Sequence, residues 1–322
     1  MLDEILNEKD SNKFDVEGGL KLIKEPSSNV LSKITYFPNT LSTKYLVEEN
    51  KSLIYTGGKY VVSQNLEFLC KIVQNLSTLS VNILFIPMKD KFLICTHNPS
   101  TSLFSKTTLT NDFFDEMDIT CLVERNSGCC ISSESANSIF RISREFLEDI
   151  KHLVINADSS KDFMDVVLVG PGAVSELVKI NQLTYDNSIN DYLSLRSSGE
   201  FCIISHVEIW ESLFKRSPNT LSEIIFYMKR ESLIIKLKKQ NTGEILNFKI
   251  EFNAKNFIRY DTEREFVLSF SYTEFAMACN IITNLTKTFV LEYVLGEVPL
   301  KISTYQPNIA NFEIFLPCNL VV

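Results

Sequence analysis

Apolar residues recur along this chain with two alternating periods, and the alternation itself returns. Leu66, Leu69, Ile72, Val73 and Leu76 fall three or four apart and leave Gln64, Glu67, Lys71, Gln74 and Asn75 opposite, the pattern of a helix with one buried face. Residues 53–62 alternate around Gly57-Gly58, which predicts a strand with a bulge or tight bend; residues 81–86, 92–95 and 103–109 predict further strands. A second helix is predicted over residues 144–154, with Phe146, Leu147, Ile150 and Leu153 inside and Ser143 as its N-cap. Strands at 163–169, 176–185 and 189–195 complete a first half.

The order then repeats. A strand at 201–204 leads through Ser205 into a helix striped by Val207, Trp210, Leu213 and Phe214. Strands at 224–228, 233–237, 245–250 and 266–270 precede a helix at 272–285, and strands at 288–293, 299–304 and 312–316 follow. Ser63 set over Ser205 brings Leu79 over Leu221, Ser80 over Ser222, Ile83 over Ile225 and Leu93 over Ile235, at a constant offset of 142 (205 − 63). The strand that ends in Ser143 matches the one that ends in Ser271, at an offset of 128 (271 − 143). This reads as a duplicated unit: an extension over 1–51, domain one over 52–197, domain two over 198–318 and a short tail at 319–322. Each half sets two helices on one face of a curved antiparallel sheet, an α+β arrangement.

Composition narrows the class. The chain has 322 residues, 45% hydrophobic and 22% charged, enough for two soluble domains of roughly 100 to 150 residues. It lacks a run of about 18 apolar residues, and Met1-Leu2-Asp3-Glu4 does not open a signal peptide, so an intracellular protein is expected. Cys70, Cys95, Cys121, Cys129, Cys130, Cys202, Cys279 and Cys318 lie mostly within apolar segments, as free thiols do in a reducing compartment. Adjacent Cys129 and Cys130 have no CxxC spacing or nearby His to make a metal pair. A net charge of −8 argues against a chain that coats itself in nucleic acid, yet leaves room for one cationic surface.

Enzyme signatures are sparse. There is no phosphate-binding G-x-x-x-x-G-K-[ST] loop, Gly170-Pro171-Gly172 lacks the third glycine of a dinucleotide turn, and His97, His152 and His206 lie far apart without a nucleophile motif. Asp112, Asp115, Glu116 and Asp118 read as a solvated loop; their alternative is a divalent-metal nuclease site. No cofactor, metal or catalytic residue is expected.

Several segments resemble one family. Tyr55-Thr56-Gly57-Gly58, the run His97-Asn98-Pro99-Ser100-Thr101-Ser102 followed by Phe113-Phe114, residues 140–153, Phe266-Val267-Leu268-Ser269-Phe270-Ser271-Tyr272-Thr273-Glu274-Phe275 and Gly296-Glu297-Val298-Pro299-Leu300 look like the Rad-nine subunit of the nine-one-one checkpoint clamp. The resemblance covers about residues 52–318. It implies two tandem PCNA-like domains in a ring with Rad-one and Hus-one type subunits. A clamp loader would place that ring around double-stranded DNA in the nucleus, as a platform for checkpoint and repair proteins. The family's linker between domains is longer than the residues 196–200 expected here, and its phosphorylated C-terminal tail has no counterpart before Val322.

On this reading the outward helix faces supply Lys71, Arg144, Lys151, Lys215, Arg216 and Lys287 to touch phosphates without reading bases, diluted by Glu67, Glu145, Glu148 and Glu211. Ring assembly through unpaired sheet edges would use Asn190, Tyr192, Leu193 and Leu195 at the end of domain one and Ile245, Phe248 and Ile250 in domain two. A homotrimeric processivity clamp and a β-rich scaffold are the remaining alternatives.

Overall fold

The computed structural model describes residues 54–100, 102–123, 128–159, 161–173, 175–185, 201–216, 221–239, 245–293, 299–305 and 308–321. All lie within one compact unit, Thr35–Val321; the extension expected over 1–51 is outside them. The first half runs β1 (Ile54–Val62), α1 (Leu66–Ser77), β2 (Asn82–Pro87), β3 (Lys91–His97), β4 (Phe104–Thr110), a 3-10 turn at Asn111–Phe113, β5 (Glu116–Val123), β6 (Cys129–Ser132), α2 (Ser133–Ile139), α3 (Arg144–Asp149), β7 (His152–Asp158), β8 (Phe163–Val169) and β9 (Ser175–Asn181). The second runs β10 (Phe201–His206), α4 (Val207–Arg216), β11 (Leu221–Met228), β12 (Ser232–Lys239), β13 (Ile245–Asn253), a 3-10 turn at Ala254–Asn256, β14 (Arg259–Thr262), β15 (Phe266–Ser271), α5 (Tyr272–Leu285), β16 (Thr288–Tyr293), β17 (Leu300–Thr304), β18 (Ala310–Leu316) and β19 (Asn319–Val321).

The duplication is carried by topology. One sheet has the order β5-β1-β7-β8-β9, and the second half repeats it as β14-β10-β16-β17-β18. The order β4-β3-β2-β6 likewise returns as β13-β12-β11-β15, with β19 added at its end. Antiparallel pairing of β18 with β4 fuses the middle two sets into one nine-stranded sheet across both halves.

Hydrophobic burial explains why these segments fold so. A continuous core between helices and sheets takes Tyr60, Leu69, Ile72, Val73, Phe85, Phe92, Trp210, Phe226, Phe275 and Phe289 among many others. A smaller cluster of Leu84, Ile86, Met88, Leu93, Cys95, Phe104, Cys130 and Phe315 lies on the opposite side of the nine-stranded sheet, with Tyr185 packed on it. Being covered on both faces, β2 and β3 read as unbroken apolar runs rather than alternating ones. The expected irregularity in β1 is a bulge: the register with β5 shifts on both sides of Gly57.

Three expectations need correction. The helix predicted over 144–154 is only the six residues of α3, none of them buried, and Leu153 belongs to β7. Ser143 does cap a helix, accepting from the Phe146 N–H, but the structural counterpart of Ser271 is Ser132. Both Ser132 and Ser271 end a strand and cap the next helix, at an offset of 139 (271 − 132), three short of the 142 elsewhere, where Ser143 falls fourteen short. α2 is polar, burying only Ser133, Ala136 and Ile139, so its period is weak beside the louder apolar run that follows. Residues 319–321, expected as tail, pair with β15 as β19.

Burial also sets thiol chemistry. Desolvation pushes Cys70, Cys95 and Cys129 up to about 12 and Cys130 to about 11, far from the thiolate that reacts. Alkylation of the folded protein at neutral pH followed by peptide mass mapping should leave these four and Cys279 unmodified until denaturant is added. Labelling of any of them at the rate of a free thiol would contradict this packing. Among the described residues no helix is long and apolar enough to cross a membrane.

Candidate nucleic-acid interface

Four helices form one layer: α2 packs beside α1, α1 beside α5, and α5 beside α4, so the row passes from one half to the other. Their apolar stripes face the sheets, Leu66, Leu69, Cys70, Ile72, Val73 and Leu76 from α1 and Phe275, Ala278, Cys279, Ile281 and Ile282 from α5. The outward positions are mainly polar, with Glu67, Asn137, Ser138, Glu208, Asn280 and Asn284 exposed. Asn284 donates to Asn75 Oδ1 at 3.0 Å and ties α5 to α1 across the halves. A second tie binds the loop after β3 to the first turn of α5. Asn98 Oδ1 accepts the N–H groups of Ser102 and Leu103, and Ser102 Oγ donates to Glu274.

The expected cations are distributed unevenly. Lys71 lies on α1 and pairs with Glu67 at 2.5 Å; Arg144 opens α3 and pairs with Glu148 at 2.6 Å. With Ile142 and Leu147, three of these side chains, Glu67, Arg144 and Glu148, line one open depression. Lys151 and Lys287 are exposed but lie beyond their helices: the Lys151 N–H donates to Val169 O, and Lys287 O accepts from the Val207 N–H. Lys215 and Arg216 end α4, and their side chains are outside the description. The reading of the sequence passed over Arg141, exposed beside α2, with its guanidinium donating to Ser138 O at 2.7 Å. Its nearness to Arg144 was the available signal. Among the described side chains the layer therefore mixes signs.

The acidic run is spread along the chain. Asp112 sits in the 3-10 turn, Asp115 follows it, and Glu116 and Asp118 lie on β5, where Glu116 pairs with Lys59 at 2.9 Å. No three His, Cys, Asp or Glu side chains among the described residues are grouped to hold a metal ion.

Open sheet edges are the other candidate surface. Among the described residues β13, which holds Ile245, Phe248 and Ile250, is the last strand of its sheet. In the first half β9, the counterpart of β18, ends its sheet among the described residues, whereas Asn190, Tyr192, Leu193 and Leu195 lie outside them. The expected strand over 176–185 stops at Asn181, and the crossing expected at 196–200 lies outside the described residues. The Leu183 N–H donates to Cys130 O at 2.8 Å, and Tyr185 packs over the outer apolar cluster and accepts the Gly128 N–H. Leaving β9 thus brings the chain back onto β6, as leaving β18 brings β19 onto β15.

No protein-family model and no curated protein matches this chain. Among solved structures it is similar to proliferating cellular nuclear antigen from Entamoeba histolytica, with a TM-score of 0.60 and 10% identity, over 83% of this chain and 100% of that one. The fold is thus that of a PCNA-like clamp, α+β, with few helices on antiparallel sheets.

Proposed function

We propose that the chain is one subunit of a heterotrimeric sliding clamp loaded at damaged DNA, a non-enzymatic ring that serves checkpoint signalling and repair in the nucleus. The observation that carries this is the β18–β4 junction: two copies of one unit join through it, and the equivalent strands β9 and β13 end their sheets among the described residues, where other subunits could pair. The layer α2-α1-α5-α4 would face the duplex. Rad-nine-like segments support Rad-one and Hus-one type chains as ring partners and a clamp loader as the agent that opens the ring.

Retention on DNA would come from enclosure more than from affinity, because Lys71 and Arg144 already have acidic partners. Co-expression with Rad-one and Hus-one type subunits, followed by mass determination with light scattering, is expected to give a 1:1:1 complex. A lone monomer or a homotrimer that ignores both would defeat the heterotrimeric reading. Once loaded, the Lys215→Glu/Arg216→Glu ring should dissociate faster from linear DNA, its salt slope falling by roughly one per lost phosphate contact. An unchanged slope would remove these two residues from the channel.

A further inference from the structure

The junction inside the chain is a template for the edges left open. β4 runs directly into a 3-10 turn at Asn111, and β13 into one at Ala254; Lys106 and Lys249 each lie five residues before it (111 − 106 and 254 − 249). Lys249 therefore holds in β13 the place of Lys106 in β4, and Ile250 that of Thr107. The partner side follows from the backbone. Val61 O accepts the Asp115 N–H and Ile204 O the Ile258 N–H, both at 2.9 Å, each donor lying two residues past its 3-10 turn (115 − 113 and 258 − 256). From Ile204 the cross-strand register passes through Val290 and Ser303 to Glu313. From Val61 it passes through Val154 and Val167 to Leu177. Leu177 thus stands in β9 where Glu313 stands in β18, and Glu176 stands where Phe312 does.

That substitution changes the chemistry of pairing. Inside the chain, Glu313 lies opposite Lys106 and pairs with it at 3.1 Å, their side chains only 12% and 13% exposed, while buried Phe312 lies opposite Thr107. The same register between β9 of one copy and β13 of another sets Leu177 opposite Lys249 and Glu176 opposite half-buried Ile250. Lys249 would then be covered with no acid across from it, keeping only its same-strand partner Glu251 at 3.0 Å, and a carboxylate would be turned toward the core side. Like the internal junction, a matched edge needs an apolar residue followed by an acid.

We propose that β13 receives an edge strand of a different chain, antiparallel, with an acidic residue opposite Lys249 and an apolar residue before it opposite Ile250, and that the chain's own β9 is unfit for this place. This rests on the clamp reading above and specifies the partner's edge. The wild-type chain should stay at the 36.8 kDa of one copy across a concentration series in light scattering. Glu176→Phe/Leu177→Glu writes the Phe312-Glu313 pair into β9 at two exposed positions and should produce a trimer, which Lys249→Glu added to it should return to monomer. Circular dichroism checks that each variant is folded. If the double variant does not fold, Glu176→Leu/Lys249→Leu, which sets apolar residues opposite each other at both positions, must show the same gain of self-association. A wild-type chain that trimerises, or a folded edge variant that stays monomeric, overturns the proposal. Failure to bind Rad-one and Hus-one type chains would instead overturn the partner assignment and leave these edge results as they stand.

Discussion

Trp210→Ala should cost the fold about 3–5 kcal/mol, the range for emptying a buried aromatic site. The indole is fully buried, with the rings of Phe275, Phe226 and Phe289 centred 5.6, 5.7 and 5.9 Å away, so one side chain joins α4 to α5, β11 and β16. Its Nε1–H donates to Ser205 Oγ at 2.9 Å, so the truncation also removes one hydrogen bond from a buried hydroxyl, which keeps its donation to His206 O at 3.1 Å. Against a total stability of about 5–15 kcal/mol, the loss brings the second half close to unfolding. Urea denaturation followed by far-UV circular dichroism measures it, since Trp210 is the only tryptophan and its fluorescence goes with it. Trp210→Phe should keep most of the packing and lose less. A Trp210→Ala midpoint equal to wild type would mean that this centre does not hold the half together.

Glu313→Ala should be nearly as damaging, about 3 kcal/mol, through a different cause. Glu292, Lys301, Glu313 and Lys106 form a line of alternating charge across β16, β17, β18 and β4, with Lys301 2.5 Å from Glu292 and 3.8 Å from Glu313. All four side chains are at most 23% exposed, so water screens them poorly. Removing Glu313 leaves Lys106 with its ammonium over the Phe315 ring, 5.6 Å from the centroid, but without its acid. The double change Lys106→Met/Glu313→Leu removes both charges and keeps apolar volume, and it should lie closer to wild type than Glu313→Ala does. A double-mutant cycle read by urea midpoints gives the coupling; additive losses would show that the pair contributes nothing across the junction.

The sequence made most of the second half readable because its apolar periods are strong: α5 and β16 begin and end at the expected residues. The first half was harder where chemistry weakens the period. α2 is short and polar, so by apolar period alone the duplication runs through Ser143 instead of Ser132. β5 carries Glu116 and Asp118 outward, and those carboxylates read as a loop because they continue the acidic run of Asp112 and Asp115 from the turn before it, which hides the alternation with Met117 and Ile119. The candidate cations were legible by type, whereas their ion pairs were not, since Lys71 with Glu67 and Arg144 with Glu148 depend on how each side chain turns along its helix. Edges are least visible of all: pairing of β18 with β4 joins residues 201 to 211 apart (310 − 109 and 315 − 104), and nothing local in either strand marks it.

The fused junction has a mechanical meaning for the ring proposed above. Strands β4 and β18 belong to one chain, so if they part they remain tethered and meet again at high effective concentration. Half of the seams in such a ring are therefore permanent. A loader that pries the circle apart must work at a seam between chains, where separation is a true dissociation. The chain's duplication thus divides the ring into hinges and latches before any partner arrives.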